Sequence, residues 1–93
     1  MYATVRTYSE ADGLADSLVE QADGVRQLIS KIDGFQAYYL IKTADGAVSV
    51  SVYDTEAGTK ESANAAASFL RDNIPNFSGA APTVASGEVV LDA

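Results

Sequence analysis

The sequence predicts an α+β domain with the element order β-α-β-β-α-β, and three observations support this prediction. Two long segments repeat their apolar residues every three or four positions, as amphipathic helices do. Four short runs are rich in β-branched and aromatic residues, as strands are. An Asp-Gly pair at residues 45–46 separates the second and third runs, where it favours a tight hairpin. With 93 residues, the chain is long enough for one domain.

The first strand is predicted over residues 2–8, where β-branched and aromatic residues dominate. Because side chains alternate along a strand, Ala3, Val5 and Thr7 are expected on one face. Arg6 is expected on the other face, which is unusual for a charged residue in a central strand. We interpret Arg6 as a member of a structural ion pair with a carboxylate such as Glu88, either across the sheet or across a dimer.

A single helix is predicted over residues 12–32, because apolar residues recur there at helical spacing. The predicted stripe consists of Leu14, Leu18, Ala22, Val25, Ile29 and Ile32. The pair Asp33-Gly34 should end this helix, since glycine readily adopts the left-handed conformation that follows a last helical turn.

The second and third strands, predicted over residues 34–42 and 47–53, are apolar on both faces. In the second strand, Phe35, Ala37, Tyr39 and Ile41 are expected on one face and Gln36, Tyr38, Leu40 and Lys42 on the other. In the third strand, Val48, Val50 and Val52 are expected on one face and Ser49, Ser51 and Tyr53 on the other. Since a sheet with one solvated face would alternate apolar and polar residues, both sides of this sheet should be covered.

A second helix is predicted over residues 56–74, with Asp54 or Thr55 as its N-cap. Its inner stripe is expected to contain Thr59, Ala63, Ala66, Leu70 and Ile74. Pro75 should end the helix, because proline disfavours the helical conformation of the residue before it. A loop over residues 75–82 and a last strand over residues 83–92 complete the chain.

This order of elements is the ferredoxin-like, split βαβ arrangement, with a four-stranded antiparallel sheet. Both helices should cover the same face of the sheet, since βαβ crossovers are right-handed. The other face would then be bare in a monomer, although its residues are apolar. We therefore predict a homodimer in which two sheets pack face to face as one barrel, burying about 600–800 Å² on each partner.

Composition excludes several classes of function. The chain has no cysteine and no histidine, which argues against thiolate chemistry, a histidine general base and most zinc sites. Its net charge of −7, with scattered basic residues, argues against binding to nucleic acid or to an anionic membrane. No run is apolar enough for a signal peptide or a membrane span, so a cytoplasmic protein is expected.

Three features resemble the dimeric α+β barrel superfamily, and within it the antibiotic biosynthesis monooxygenase-like (ABM-like) group. Asp33-Gly34-Phe35 follows the first helix, where that group usually has Pro-Gly-Phe. A strand, a short hairpin and a second strand come next. The pair Tyr53-Asp54 then opens the second helix, where the group often has Trp-Glu. The resemblance covers nearly the whole chain.

The resemblance implies a pocket inside each protomer, between the sheet and the helices. In the oxygenases of this group that act on polyketide-type aromatic substrates, the third strand supplies an asparagine and a tryptophan, and the second helix supplies a tyrosine. By position, Ser49 stands in place of the asparagine, Tyr53 in place of the tryptophan, and Thr59 near the tyrosine. The heme-degrading members use a histidine ligand, which this sequence does not contain.

Five residues are therefore candidate ligand-binding residues: Tyr53, Ser49, Ser51, Thr59 and Thr7. Each has a structural alternative. Tyr53 either lines the pocket or packs as a core aromatic residue beneath the second helix. Ser49 and Ser51 are either pocket hydroxyls or small residues that let the helices approach the sheet. Thr7 and Thr59 either line the pocket or fill space. Tyr38 and Tyr39 should face opposite sides of the sheet.

Two functions remain open from the sequence. The first is a cofactor-independent monooxygenase that oxidises a small aromatic or apolar substrate with dioxygen, without metal or bound cofactor. The alternative is a non-catalytic dimeric module that binds a ligand or a partner. The fold by itself does not decide between them, because one fold supports many functions.

Overall fold

The structure is a computed structural model that describes residues 1–74 and 82–93, which form a four-stranded sheet and three helices. The elements are β1 (Tyr2–Tyr8), α1 (Leu14–Glu20), α2 (Ala22–Ser30), β2 (Phe35–Lys42), β3 (Ala47–Tyr53), α3 (Glu56–Asn73) and β4 (Thr83–Glu88). Apart from Pro82, the predicted loop over residues 75–82 lies outside the described residues. No helix in the described ranges has the length and apolar character needed to cross a bilayer.

The sheet has the strand order β2-β3-β1-β4, and every neighbouring pair of strands is antiparallel. At its centre, Val5 of β1 lies opposite Val50 of β3 and Ala85 of β4. The three helices pack on the face that carries the buried residues of β1 and β3. The predicted ferredoxin-like α+β fold is confirmed.

The predicted single helix over residues 12–32 is wrong in one respect, because it is divided into α1 and α2 at Gln21. The backbone of Gln21 leaves helical geometry, with φ −109° and ψ 28°. Its side-chain amide donates a hydrogen bond of 2.9 Å to the carbonyl oxygen of Asn73, at the end of α3. The apolar spacing continues through the break, and for this reason periodicity alone did not reveal it.

The prediction that Phe35 lies on the same face of β2 as Ala37, Tyr39 and Ile41 is wrong. Phe35 pairs with Tyr53, whereas Ala37 pairs with Val52, so Gln36 is an extra residue that forms a bulge. The bulge turns Phe35 toward the helices, where its ring meets that of Tyr53 edge-on at a centroid distance of 6.1 Å. The side-chain amide of Gln36 donates a hydrogen bond to a carboxylate oxygen of Asp54.

Helix α3 lies very close to β3. Thr55 caps the helix: its hydroxyl oxygen accepts a hydrogen bond of 3.4 Å from the backbone amide of Gly58. A Cβ atom on Gly58 would lie only 2.7 Å from the Cβ atom of Tyr53, so no larger residue fits without movement. The buried residues of α3 are Gly58, Thr59 and Ser62, all small, rather than the alanines that the predicted stripe emphasised.

Strand β4 ends at Glu88, not at residue 92 as predicted. Glu88 pairs with Tyr2, and the amide of Val89 donates a last hydrogen bond of 2.9 Å to the carbonyl oxygen of Met1. Residues 90–93 lie outside the strand. Val90 and Leu91 are exposed.

The sheet face away from the helices carries no charged side chain within the paired strands, and we call it the open face. Strand pairing arranges it in three rows: Ala37, Val52, Ala3 and Gly87; Tyr39, Val50, Val5 and Ala85; Ile41, Val48, Thr7 and Thr83. Tyr39 is 61% exposed on this face. The aliphatic side of the sheet is therefore the side that the helices leave uncovered.

Candidate functional site

The sheet face beneath the helices is unusually polar for a protein interior. The buried polar residues are Thr4, Arg6, Ser49, Ser51, Thr59 and Ser62. The two central strands supply four of these residues, and α3 supplies the other two. Buried polar groups cost free energy unless they are hydrogen-bonded, so this concentration requires an explanation beyond packing.

Arg6 is the most costly of these residues, because its guanidinium group is charged and the residue is only 3% exposed. Its Nη1 atom lies 3.5 Å from the hydroxyl oxygen of Ser62, to which it donates. Arg6 also donates a hydrogen bond to the hydroxyl of Tyr8. None of the salt bridges found among the described residues includes Arg6.

The predicted ion pair between Arg6 and Glu88 is therefore not formed across the sheet, and a pair across a dimer stays a prediction. Val84, not Glu88, lies opposite Arg6 across the sheet. Glu88 lies four positions further along β4, opposite Tyr2, with its side chain exposed. The charge of Arg6 is consequently buried between the sheet and the helices with no carboxylate partner in the described part of the chain.

Arg6 lines a small cavity of about 30 Å³, which is enough space for at least one water molecule. The polar side chains of its wall come from three strands: Arg6 and Tyr8 from β1, Tyr38 from β2 and Ser49 from β3. The remaining wall is apolar and consists of Leu18, Val25, Leu28, Ile29, Leu40, Ala66, Phe69 and Leu70. The cavity therefore places a few polar groups within an otherwise apolar wall.

A larger groove of about 520 Å³ lies beside this cavity, between β2 and the first two helices. The cavity and the groove share five lining residues, namely Leu18, Val25, Ile29, Tyr38 and Leu40. The groove is mainly apolar, with Arg26 and Ser30 among its lining residues. The ligand-sized groove and the polar cavity are therefore neighbours that share part of their walls.

Burial raises the pKa of Tyr8 and of Tyr38 above the ordinary value of 10.0. For both residues, the loss of hydration outweighs the opposing influence of the Arg6 charge. Both hydroxyls therefore keep their protons at neutral pH, and each can donate a hydrogen bond into the cavity.

These raised pKa values predict a loss of stability in alkaline solution. An unfolded tyrosine ionises near pH 10, whereas folded Tyr8 and Tyr38 bind their protons more tightly, so the free energy of unfolding should fall as the pH rises above 10. Urea unfolding of the wild type and of Tyr38→Phe from pH 8 upward measures this. The decline should be shallower in Tyr38→Phe, and identical declines in the two proteins would contradict the prediction.

Four buried polar atoms have no hydrogen-bond partner among the described residues. They are the Nε atom of Arg6, the hydroxyl oxygens of Ser49 and Ser51, and the hydroxyl oxygen of Tyr53. Such atoms are rare in native proteins, and they often mark a place where a ligand or water completes the bonding. Two of the four, on Arg6 and Ser49, belong to residues that line the cavity.

The structure brings four of the five predicted ligand-binding residues into the layer between sheet and helices. Ser49 lines the cavity, whereas Ser51, Tyr53 and Thr59 are buried in the same layer outside its wall. The hydroxyl of Thr59 donates a hydrogen bond of 2.6 Å to the carbonyl oxygen of Glu56, within its own helix. Tyr53 is close enough to Tyr38 to help raise the pKa of that residue.

Thr7 is separated from the other four candidates. It lies on the open face, opposite Val48 and Thr83, with the sheet between it and the cavity. Thr7 alternates with Arg6 and Tyr8 along β1, so the strand that sends those two side chains toward the helices must send Thr7 the other way.

Sequence reasoning did not select Arg6, Tyr8 or Tyr38 as site residues, although they form most of the polar wall. Arg6 was interpreted as part of an ion pair, and Tyr38 was assigned to no particular side of the sheet. One signal was available in the sequence: Thr4, Arg6 and Tyr8 are each two positions apart in the first strand, so they lie on the same face. Within the described residues, no cluster of acidic side chains is positioned to hold a metal ion.

Solved structures with a similar backbone cover nearly the whole chain. One is a candidate antibiotic biosynthesis monooxygenase from Bordetella bronchiseptica, with a TM-score of 0.71, 14% identity, and 97% of each chain covered. This chain shares that fold. A monooxygenase from Streptomyces coelicolor, solved with the ligand nanaomycin D, gives a TM-score of 0.62 at 20% identity, covering 99% of this chain and 91% of that one.

A third similar structure is the heme degrader of Mycobacterium tuberculosis, solved with two hemes in its active site. It gives a TM-score of 0.65 at 17% identity, covering 100% of this chain and 99% of that one. The predicted likeness to ABM-like proteins is thus confirmed at the level of fold. No protein-family profile matches the sequence, and no curated protein matches it significantly.

Proposed function

We propose that this protein is a cofactor-independent monooxygenase that binds a small aromatic substrate between its sheet and its helices. One observation carries the proposal: an apolar groove of about 520 Å³ adjoins a buried cavity with a polar wall. Ligand pockets in proteins are typically about 300–1,000 Å³, mostly apolar, with a few polar groups that orient the ligand. The aromatic rings would lie in the groove, and one substrate oxygen would enter the cavity.

The chemistry needs no cofactor when the substrate itself supplies the electrons. In an anthrone, the methylene group between the rings loses two hydrogens and gains one oxygen atom, becoming a carbonyl. The second oxygen atom of dioxygen leaves as water with those two hydrogens, so atoms and electrons balance. The protein would contribute a site shielded from water and hydrogen bonds from Tyr8, Tyr38 and Ser49 to the substrate oxygen.

The Streptomyces coelicolor monooxygenase supports this proposal by its fold, which it shares with the present chain. The heme-degrading neighbour does not favour heme as the ligand here. The sequence contains no histidine to ligate the iron.

The test is the rate of anthrone oxidation with and without dioxygen, measured by the absorbance of the quinone product and corrected for the reaction in buffer. The wild-type rate should depend on dioxygen and exceed the buffer rate. Tyr38→Phe should lower the rate by about tenfold or more, since it removes a hydroxyl from the cavity wall. Tyr39→Phe is the matched control, because this neighbouring tyrosine lies on the open face.

Anthrone that binds without any protein-dependent oxidation would contradict catalysis and would indicate the ligand-binding module instead. Equal rates in Tyr38→Phe and Tyr39→Phe would show that the cavity is not the site of reaction.

We also propose that the working protein is a homodimer formed through the open face. The face is continuous across all four strands and carries no charge within their paired residues. A second copy of the same face is complementary to it in polarity, and a two-fold axis would place the two aliphatic surfaces in contact. A pairing of this kind would remove Tyr39 and Ile41 from water.

A further inference from the structure

We propose that Arg6 binds an oxyanion of the ligand, so that the site takes a small aromatic molecule in its phenolate or enolate form. This inference rests on the proposed function, because it uses the same cavity and groove. It adds the ionisation state of the ligand and the residue that selects it.

The first line of support is the contrast between Arg6 and the other basic residues. Four of them form salt bridges with exposed carboxylates: Arg26 with Asp23, Lys42 with Asp16, Lys60 with Glu56, and Arg71 with Asp72. The chain has 13 acidic residues against six basic ones, so carboxylates are plentiful. Arg6 is the most deeply buried of these cations, and it nevertheless has no carboxylate partner in the described chain.

A buried charge without a partner is strongly unfavourable, and an anion that enters the cavity would supply the missing partner. The Nε atom of Arg6 is buried and has no hydrogen-bond partner among the described residues, so a donor is free to meet such an anion. Hydrogen bonds from a guanidinium group to an oxyanion are about twice as strong as those between neutral groups.

The second line of support is the size and composition of the cavity. At about 30 Å³ the cavity is much smaller than the groove of about 520 Å³ beside it, so the polar end of a ligand would lie in the cavity and its rings in the groove. No acidic residue lines either space within the described chain, so nothing there would repel an anion. The cavity is therefore suited to the single oxygen of a phenolate or enolate.

The surrounding groups favour an anion as well. Tyr8 from β1 and Tyr38 from β2 remain protonated at neutral pH and can donate hydrogen bonds to it. An aromatic oxyanion releases an electron to dioxygen more readily than the neutral molecule does, so its selection would assist the proposed oxidation.

The test uses para-nitrophenol, whose phenolate is yellow and whose neutral form is colourless, and para-nitroanisole, the methyl ether that cannot ionise. At a pH below the pKa of free para-nitrophenol, the wild-type protein should turn it yellow. Calorimetry should show that it binds about tenfold to a hundredfold more tightly than the ether. Arg6→Met should bind the two ligands equally, without colour, and Arg6→Lys should keep part of the preference.

The outcomes separate the inference from the proposed function. Equal binding of both ligands to the wild type, without colour, would overturn the role of Arg6 while leaving the groove as a binding site. Binding of neither would overturn the proposed site as well. Tighter binding of para-nitrobenzoate than of para-nitrophenol would overturn the phenolate or enolate class in favour of carboxylates. The wild-type comparison needs no variant, so it stands even if Arg6→Met fails to fold.

Discussion

Arg6→Met should raise the free energy of unfolding by about 1–4 kcal/mol, because it replaces a buried, uncompensated charge with an apolar side chain of similar length. The substitution removes the hydrogen bonds from Arg6 to Ser62 and to Tyr8. The hydroxyl of Ser62 keeps its own hydrogen bond, of 2.9 Å, to the carbonyl oxygen of Thr59. Urea unfolding monitored by circular dichroism measures the change. The same variant should lose the oxidation of anthrone, so stability and activity should move in opposite directions.

The matched control is Arg26→Met. Arg26 is exposed and pairs with Asp23 at 3.3 Å on the surface of α2, so its replacement should change stability by only about 0.5 kcal/mol or less. A loss of about 3–5 kcal/mol in Arg6→Met would contradict the prediction, since it would indicate that Arg6 compensates a buried negative charge.

Val50→Glu should convert the proposed homodimer to a monomer. Val50 lies at the centre of the open face, between Tyr39 and Val5 on the neighbouring strands. Near a two-fold axis, the two introduced carboxylates would face each other in an apolar interface, which costs several kcal/mol. The dissociation constant of the dimer should therefore rise by about a thousandfold or more, as measured by analytical ultracentrifugation at low micromolar concentration.

The monomeric variant should remain folded, because its new carboxylate would then face water. Val19→Glu is the control: Val19 is 63% exposed on α1, across the sheet from the open face, and this variant should dimerise like the wild type. A wild-type protein that sediments as a monomer, or a Val50→Glu protein that sediments as a dimer, would contradict assembly through this face.

Much of the fold could be predicted from the sequence because its signals are local. Alternation and β-branched residues predicted the bounds of β1 and β3 as they occur, Tyr2–Tyr8 and Ala47–Tyr53. The apolar spacing and the Thr55 cap predicted α3 to within one residue. These patterns depend on residues a few positions apart, and local geometry is sufficient to produce them.

The errors arose where distant segments meet. The break at Gln21 coincides with a hydrogen bond to Asn73, more than fifty positions away, and the bulge at Gln36 is accompanied by a bond to Asp54. The last paired residue of β4, Glu88, lies opposite Tyr2, the first residue of β1. No local pattern contains this information, since each feature depends on which segment becomes a neighbour in the folded chain.

The candidate site shows the same division. The sequence identified a layer of hydroxyl and aromatic side chains on the third strand, including Ser49, because residue type and alternation specify a face. It did not show that Arg6, Tyr8 and Tyr38 would converge there. Their meeting depends on the register between β1 and β3 and between β2 and β3. It also depends on three helices that cover Arg6 and contribute no carboxylate to the cavity wall. Whether a buried charge has a partner is a property of its three-dimensional surroundings, and the chain's abundance of acidic residues gives no indication of it.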